Sequence, residues 1–258
     1  MDFTNKVALI TGGGSGLGEA AARMLAARGA KVGILGRTKE ELQEVADDVG
    51  DDKIMVLTAD ISDEKSVKAA VKQLTDRWGR LDFVAAVAGV NGTWAPIEDL
   101  TVEEFEKTIG INLTGTFITL KSAFPYLKKQ GGAGVVVASV NGTRMFSNTG
   151  ATAYATSKAG QVAMTKMLAL EWAKHRVRLN VICPGWIESE IDDNTKKKNL
   201  EAAKEPMEFP AGEVPLTDGQ PGKADQVAEL ISFLLSDASS HITGTEMWID
   251  GAESLLRG

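Results

Sequence analysis

Lys6-Val-Ala-Leu-Ile10, then Thr11-Gly-Gly-Gly-Ser-Gly-Leu-Gly18, then Glu19 to Arg28 (EAAARMLAAR) closed by Gly29, is the stretch that decides the fold. The first segment is short, apolar and β-prone, and the third reads as a helix. The loop between them lets a backbone approach a pyrophosphate closely, and the helix start offers unpaired N–H groups and a favourable dipole. Glycine in a tight turn can serve geometry alone. A complete strand, glycine loop and helix is the context that a phosphate-binding loop needs.

Outward from this unit, apolar runs predict strands near 31–35, 53–58, 82–87, 133–138, 177–183 and 246–249. Helices are expected near 17–28, 39–48, 63–78, 102–128, 153–174 and 224–235. This alternation, without linker or repeat, predicts an α/β fold: one domain over residues 1–258, with a doubly wound, mostly parallel seven-stranded sheet and helices on both faces. Ligands in such folds lie beyond the carboxyl ends of the strands, and Thr11, Arg37, Asp60, Ser139 and Pro184 fall there.

Composition narrows the function. The 258 residues carry a formal net charge of −7 with interspersed signs, which argues against a nucleic-acid partner. His175 and His241 have no partners at metal-ligand spacing, so no catalytic metal is expected. The single cysteine, Cys183, lies in an apolar run and reads as core. With no apolar leader or membrane-length run, a cytoplasmic protein without membrane association is expected.

The chemistry centres on Tyr154-Ala-Thr-Ser-Lys158. Tyr and Lys four residues apart project from one helix face, one turn apart. A free phenol of pKa about 10 is barely ionised at neutral pH; bringing it there requires roughly 4 kcal/mol of preferential support for the anion. A neighbouring ammonium supplies such support. The pair alone is common on ordinary helices, and the glycine loop is what gives it meaning.

Together these motifs resemble the short-chain dehydrogenase/reductase family, in its compact Rossmann-type form, from Lys6 to about Gly251. Thr11-Gly12-x-x-x-Gly16-x-Gly18 matches the family's cofactor loop, in which Ser15 and Leu17 also lie. Asp60, followed by Ile61, matches the acidic residue at the adenine. Asn112, Ser139, Tyr154 and Lys158 match the catalytic tetrad. Pro184-Gly185, with Ile187 and Ser189, matches the loop flanking the nicotinamide. Ile242-Thr-Gly244 and Ile249-Asp-Gly251 match the closing segment.

The chain departs from the pattern in three places. Ala86-Val87-Ala88-Gly89 stands where the family usually has Asn-Asn-Ala-Gly, which removes Asn contacts that brace the central strand, though Ala88 and Gly89 still match cofactor positions. The Ser139-to-Tyr154 interval is about two residues longer than the commonest one, and Ser189 replaces the more usual Thr. These differences bear on the substrate more than on the reaction.

The resemblance implies hydride transfer between a nicotinamide cofactor and a carbonyl/alcohol pair, with Tyr154 as general acid or base. Lys158 would lower its pKa and bond the nicotinamide ribose, Ser139 would hold the substrate oxygen, and Asn112 would support a relay water from the long helix. At the end of the second strand Gly36 replaces the acidic residue of an NAD site and Arg37 suits a 2′-phosphate, so NADP(H) is expected over NAD(H). Residues 188–216 fit the alternation poorly, and the resemblance places a substrate lid there. Within it Lys196-Lys-Lys198 reads first as a solvated helix face and second as a docking patch for an acidic carrier. Trp94, Asn141, Phe146 and Trp186 are candidate substrate contacts.

Two other readings stand beside this one. The first is a 3-oxoacyl-carrier reductase of fatty-acid synthesis, for which Lys128, Lys129, Lys174, His175 and Arg176 would form a basic surface. The second is a non-catalytic nucleotide sensor or scaffold. The long helices near 102–128 and 153–174 carry surplus apolar residues (Phe117, Ile118, Leu120, Val162, Met164, Met167, Leu168). The resemblance implies that they pair with their copies in a homo-oligomer, with a tetramer favoured.

Overall fold

The computed structural model describes residues 1–188, 194–202 and 214–257. The chain forms β1 (Val7–Thr11), α1 (Gly16–Ala27), β2 (Lys31–Gly36), α2 (Lys39–Val49), β3 (Ile54–Thr58), α3 (Glu64–Trp78) and β4 (Phe83–Ala86). It continues through β5 (Gly92–Trp94), α4 (Val102–Ile109), α5 (Gly115–Leu127), β6 (Gly132–Val137), α6 (Thr152–Ala173) and β7 (Val177–Pro184). The last elements are β8 (Thr195–Lys197), α7 (Ala224–Leu235), β9 (Glu246–Ile249) and α8 (Glu253–Arg257). Seven strands pair in parallel in the order β3-β2-β1-β4-β6-β7-β9.

The strand pattern shows why both faces are covered. Every residue of β1 is buried. With a side-chain period of two, Val7 and Leu9 enter one core while Ala8 and Ile10 enter the other. The first core is completed by α3, α5 and α6, through residues such as Val71, Leu120 and Trp172. The second is completed by α1, α2 and α7, through Leu25, Leu42 and Ile231. On the first face Phe124 stacks on Trp172 with ring centroids 4.7 Å apart.

Two of the expected helices are corrected. The helix near 102–128 is interrupted by a π-helical turn over Gly110–Thr114, which Gly110 starts and Gly115 follows, where the chain inserts Asn112 into the interior. Lys196 to Lys198 do not lie on a helix: Thr195–Lys197 is a short strand paired in parallel with Gly92–Trp94, a second sheet. The rest of the 188–216 interval falls largely outside the described residues.

Polar clamps at the amino ends of the strands hold the sheet. The buried carboxylate of Asp82 accepts from the Val7 N–H at 2.9 Å and from both arms of Arg80, the Nε at 2.8 Å. Across the sheet Arg178 donates to the carbonyl oxygens of Leu234, Leu235 and Ser236, closing the carboxyl end of α7. Asp82→Ala leaves a buried N–H without its acceptor and a cation without its partner. It is expected to lower stability by about 2–3 kcal/mol and the melting temperature by roughly 4–12 °C in calorimetry. An unchanged melting temperature would refute this role.

Candidate active site

The strand order reverses at β1, whose neighbours β2 and β4 lead away in opposite directions, so a crevice opens above their carboxyl ends. The glycine loop forms its floor. Gly12 adopts φ +70°, and a Cβ there would stand 3.0 Å from the Ala88 Cα. At Gly18 a Cβ would lie 2.0 Å from the Gly12 carbonyl oxygen, so α1 packs on the loop only with glycine. The resulting cleft, about 340 Å³, runs from this loop past Arg37 and Asp60 to Gly89. A cradle kept open by missing Cβ atoms at a helix start fits a dinucleotide pyrophosphate. Gly12, Ser15, Gly16, Leu17, Gly18, Arg37, Asp60, Ile61, Ala88 and Gly89 all line it.

The brace lost with the family's Asn pair is replaced. Thr11 Oγ1 accepts from the backbone N–H groups of Val87, at 3.1 Å, and Ala88, at 3.2 Å. Further along, Asn112 Oδ1 accepts from the Val90 N–H at 2.8 Å, and its Nδ2 donates to the Val90 carbonyl and to Ser157 Oγ. Gln161 Nε2 and Thr116 Oγ1 both donate to the Asn112 carbonyl oxygen. In this geometry Asn112 is a strut between the β4 loop and α6.

Tyr154, Ser157, Lys158 and Gln161 form a buried polar stripe on α6. Lys158 Nζ donates to the Val137 carbonyl at 2.9 Å and lies 5.5 Å from the centre of the Tyr154 ring. Burial lowers its pKa to about 8, so the ammonium persists at neutral pH. A Cβ on Gly89 would stand 3.5 Å from that Nζ, which joins the cleft to the Tyr154–Lys158 pair. Ser139, at the end of β6, caps a turn over Val140–Gly142 and accepts from the Asn141 N–H at 3.2 Å. Cys183 is fully buried near Lys158, its thiol pushed up to about 11 by burial.

Pro184 ends β7, Gly185 N–H donates to the Ile249 carbonyl, and Ile187 bridges to Gly222. Ser189 lies outside the described residues. Of the substrate candidates, Trp94 meets Tyr154 with ring centroids 6.5 Å apart, and Asn141 is buried, accepting from Asn148 Nδ2. Phe146 and Trp186 are 74% and 43% exposed. Sequence reasoning did not single out Thr11 as a brace, Ser157, Gln161 or Glu41, whose side chain lines the cleft beside Gly14. The i, i+3, i+4, i+7 spacing of polar residues through an apolar helix was a readable sign for two of them.

The basic residues weighed for carrier docking divide between two places. Lys128, Lys129, Lys174, His175 and Arg176 follow the ends of α5 and α6, at the amino end of β6 and β7, across the sheet from Ser139. Lys196 and Lys197 are exposed on β8, beside Trp94. Among the described residues no group of His, Cys, Asp or Glu is arranged to hold a metal, and no helix is long and apolar enough to cross a membrane.

The profile of the enoyl-(acyl carrier protein) reductase family matches residues 12–252. The levodione reductase of Leifsonia aquatica is 37% identical over 262 residues, covering 98% of this chain and 95% of the relative. A crystal structure of a 3-ketoacyl-ACP reductase from Sinorhizobium meliloti 1021 superposes with a TM-score of 0.94 at 54% identity, over 97% of this chain and 100% of that one. The 3-ketoacyl-(acyl-carrier-protein) reductase of Brucella melitensis, solved with NADH, gives 0.87 at 31% identity over 98% and 100%. With fold, cleft and relatives in agreement, the chain belongs to the short-chain dehydrogenase/reductase family and is an NAD(P)-dependent oxidoreductase of carbonyl and alcohol substrates.

Proposed function

We propose that this enzyme reduces a small-molecule ketone, or oxidises the corresponding alcohol, with Tyr154 as the proton-transfer group. The observation that carries the reading is the approach of Lys158 to both the Tyr154 ring and Gly89 of the cofactor cleft. The bound nicotinamide supplies or accepts the hydride. Tyr154 gives its proton to the carbonyl oxygen in reduction and takes it back in oxidation. The Lys158 ammonium favours the phenolate and serves the ribose of the cofactor. Ser139 Oγ holds the substrate oxygen, and Asn112 keeps the Val90 and Ser157 sides of the site in register. Pro184, Gly185 and Ile187 flank the nicotinamide. The protein works in the cytoplasm as one domain.

A carrier-linked 3-oxoacyl substrate is the second reading, favoured by the exposed Lys196 and Lys197 near Trp94. One experiment serves both: kcat/KM for wild type and Tyr154→Phe on free and carrier-linked carbonyls. Tyr154→Phe is expected to keep cofactor binding and lose roughly 10²–10⁴-fold in turnover. Residual activity within a factor of a few of wild type would sink the assignment. Wild-type activity confined to carrier-linked substrates selects the second reading.

NADP(H) is the preferred cofactor in this proposal. Arg37 is exposed at the cleft and Gly36 leaves room for a 2′-phosphate beside it. Glu41, in the same cleft, opposes that charge. A preference of roughly ten- to a hundredfold in kcat/KM is expected, falling in Arg37→Ala and rising in Glu41→Gln. Wild type favouring NAD(H), or an Arg37→Ala ratio equal to wild type, shows the assignment wrong.

The assembly proposed is a homotetramer built on α5 and α6. Ile118, Leu120 and Val162 are taken up by the core, but Phe117, Met167 and Leu170 remain 46%, 76% and 82% exposed. Light scattering at micromolar concentration should give a mass well above the 27.4 kDa of one chain. A mass equal to one chain refutes it.

A further inference from the structure

Carboxylates are rarely buried, because the charge costs free energy unless hydrogen bonds receive it. Glu253, the first residue of α8, is only 3% exposed. Its Oε2 accepts from the Trp186 N–H at 2.6 Å, a charge-assisted bond. The same oxygen lies against Gly185, where an added Cβ would meet it at 2.5 Å and the Asp250 Cβ at 2.7 Å. The loop that leaves β7 therefore rests on α8, and only glycine lets it come so close. The turn that delivers Glu253 is built for the purpose. Asp250 accepts from the Ala252 N–H at 3.2 Å, from the Ser254 N–H at 3.1 Å and from the Ser254 hydroxyl. Between them Ala252 takes φ +71°, a left-handed conformation that favours glycine. Such strain persists where the surroundings over-determine it, and it gathers at functional sites.

We infer that Glu253 is a positioning residue for the nicotinamide: its carboxylate fixes the 184–187 loop that the ring of the bound cofactor rests against. This rests on the reading above, in which Pro184, Gly185 and Ile187 flank that ring. Two backbone bonds already tie the loop to the sheet side, from the Gly185 N–H to the Ile249 carbonyl at 3.1 Å and from the Gly222 N–H to the Trp186 carbonyl at 2.9 Å. Glu253 adds a third hold, on the peptide between Gly185 and Trp186. The residue before the loop, Cys183, is near enough to Lys158 for their charges to interact, so the height of the loop is set close to the Tyr154–Lys158 pair. Neither the loop nor Glu253 lines the cleft between the glycine loop and Gly89. The two halves of a dinucleotide would thus be held by separate parts of the chain, and Glu253 acts on one half alone.

The test is binding, measured by titration calorimetry on wild type, Glu253→Ala, Glu253→Gln and Gly185→Ala. Each reduced dinucleotide is compared with the fragment that lacks nicotinamide: NADPH with 2′-phospho-ADP-ribose, and NADH with ADP-ribose. Glu253→Ala is expected to weaken the dinucleotide about tenfold and the fragment less than about twofold. Glu253→Gln keeps an acceptor oxygen for the Trp186 N–H and is expected to recover most of that loss. Gly185→Ala leaves Glu253 in place but pushes the loop off it, and should reproduce the loss; it decides the matter where Glu253→Ala does not fold. The ratio of dinucleotide to fragment is internal to each protein, so a general loss of structure does not move it. Equal weakening of dinucleotide and fragment overturns the inference. So does a Glu253→Ala or Gly185→Ala protein that binds the dinucleotide as wild type does, or a Glu253→Gln protein as impaired as Glu253→Ala. A wild type that binds neither dinucleotide brings down the carbonyl-reductase reading as well.

Discussion

Everything at this site depends on two strand ends being held a fixed distance apart. Thr11 closes β1, and its hydroxyl captures the N–H groups of Val87 and Ala88 just after β4. That clamp sets Gly12 against Ala88 and brings the backbone of Gly89 to the side of Lys158. Without it, the glycine-loop cleft and the Tyr154–Lys158 pair would be two unrelated features of one sheet. The loop needs both glycine's positive φ at Gly12 and its missing side chain at Gly18, and each requirement comes from backbone approach rather than from flexibility.

The second constraint is the burial of a cation. Lys158 is 3% exposed and donates to the Val137 carbonyl, and burial holds its charge at a cost that lowers its pKa to about 8. The Tyr154 ring, its centre 5.5 Å from that Nζ, stands beside the buried charge. The tension between the two groups is therefore part of the site's design, and the polar stripe of Ser157 and Gln161 keeps α6 at the height where it operates. The π-turn at Gly110–Thr114 has the same purpose from the other side. It admits the extra residue that turns Asn112 inward.

Much of this was legible in the residues. The glycine loop between an apolar run and an Ala-rich helix gave the parallel sheet, because only one local structure satisfies all three segments. The Tyr154 and Lys158 spacing marked one face of the helix, which is the buried polar face. The π-turn was not legible: Gly110 and Gly115 lie in a stretch whose apolar period is that of an ordinary helix, and the break comes from what Asn112 bonds to across space. Nor was the strand at Thr195–Lys197, since three residues rich in lysine take that form only because Gly92–Trp94 offers a free edge. The bracing role of Thr11 went unread for a similar reason. A hydroxyl at a strand end has no sequence mark that distinguishes a brace from a solvated side chain.

Cys183 carries a consequence of another kind. It is the chain's one sulfhydryl, fully buried on β7, immediately before Pro184, and burial keeps it in the unreactive thiol form. Alkylating reagents can reach it only when the central sheet opens. The rate at which it is labelled under native conditions therefore reports the opening of the fold around β7, and any slowing on adding dinucleotide measures how much bound cofactor tightens that region. The enzyme thus holds a built-in clock for its own breathing, on the strand beside Lys158.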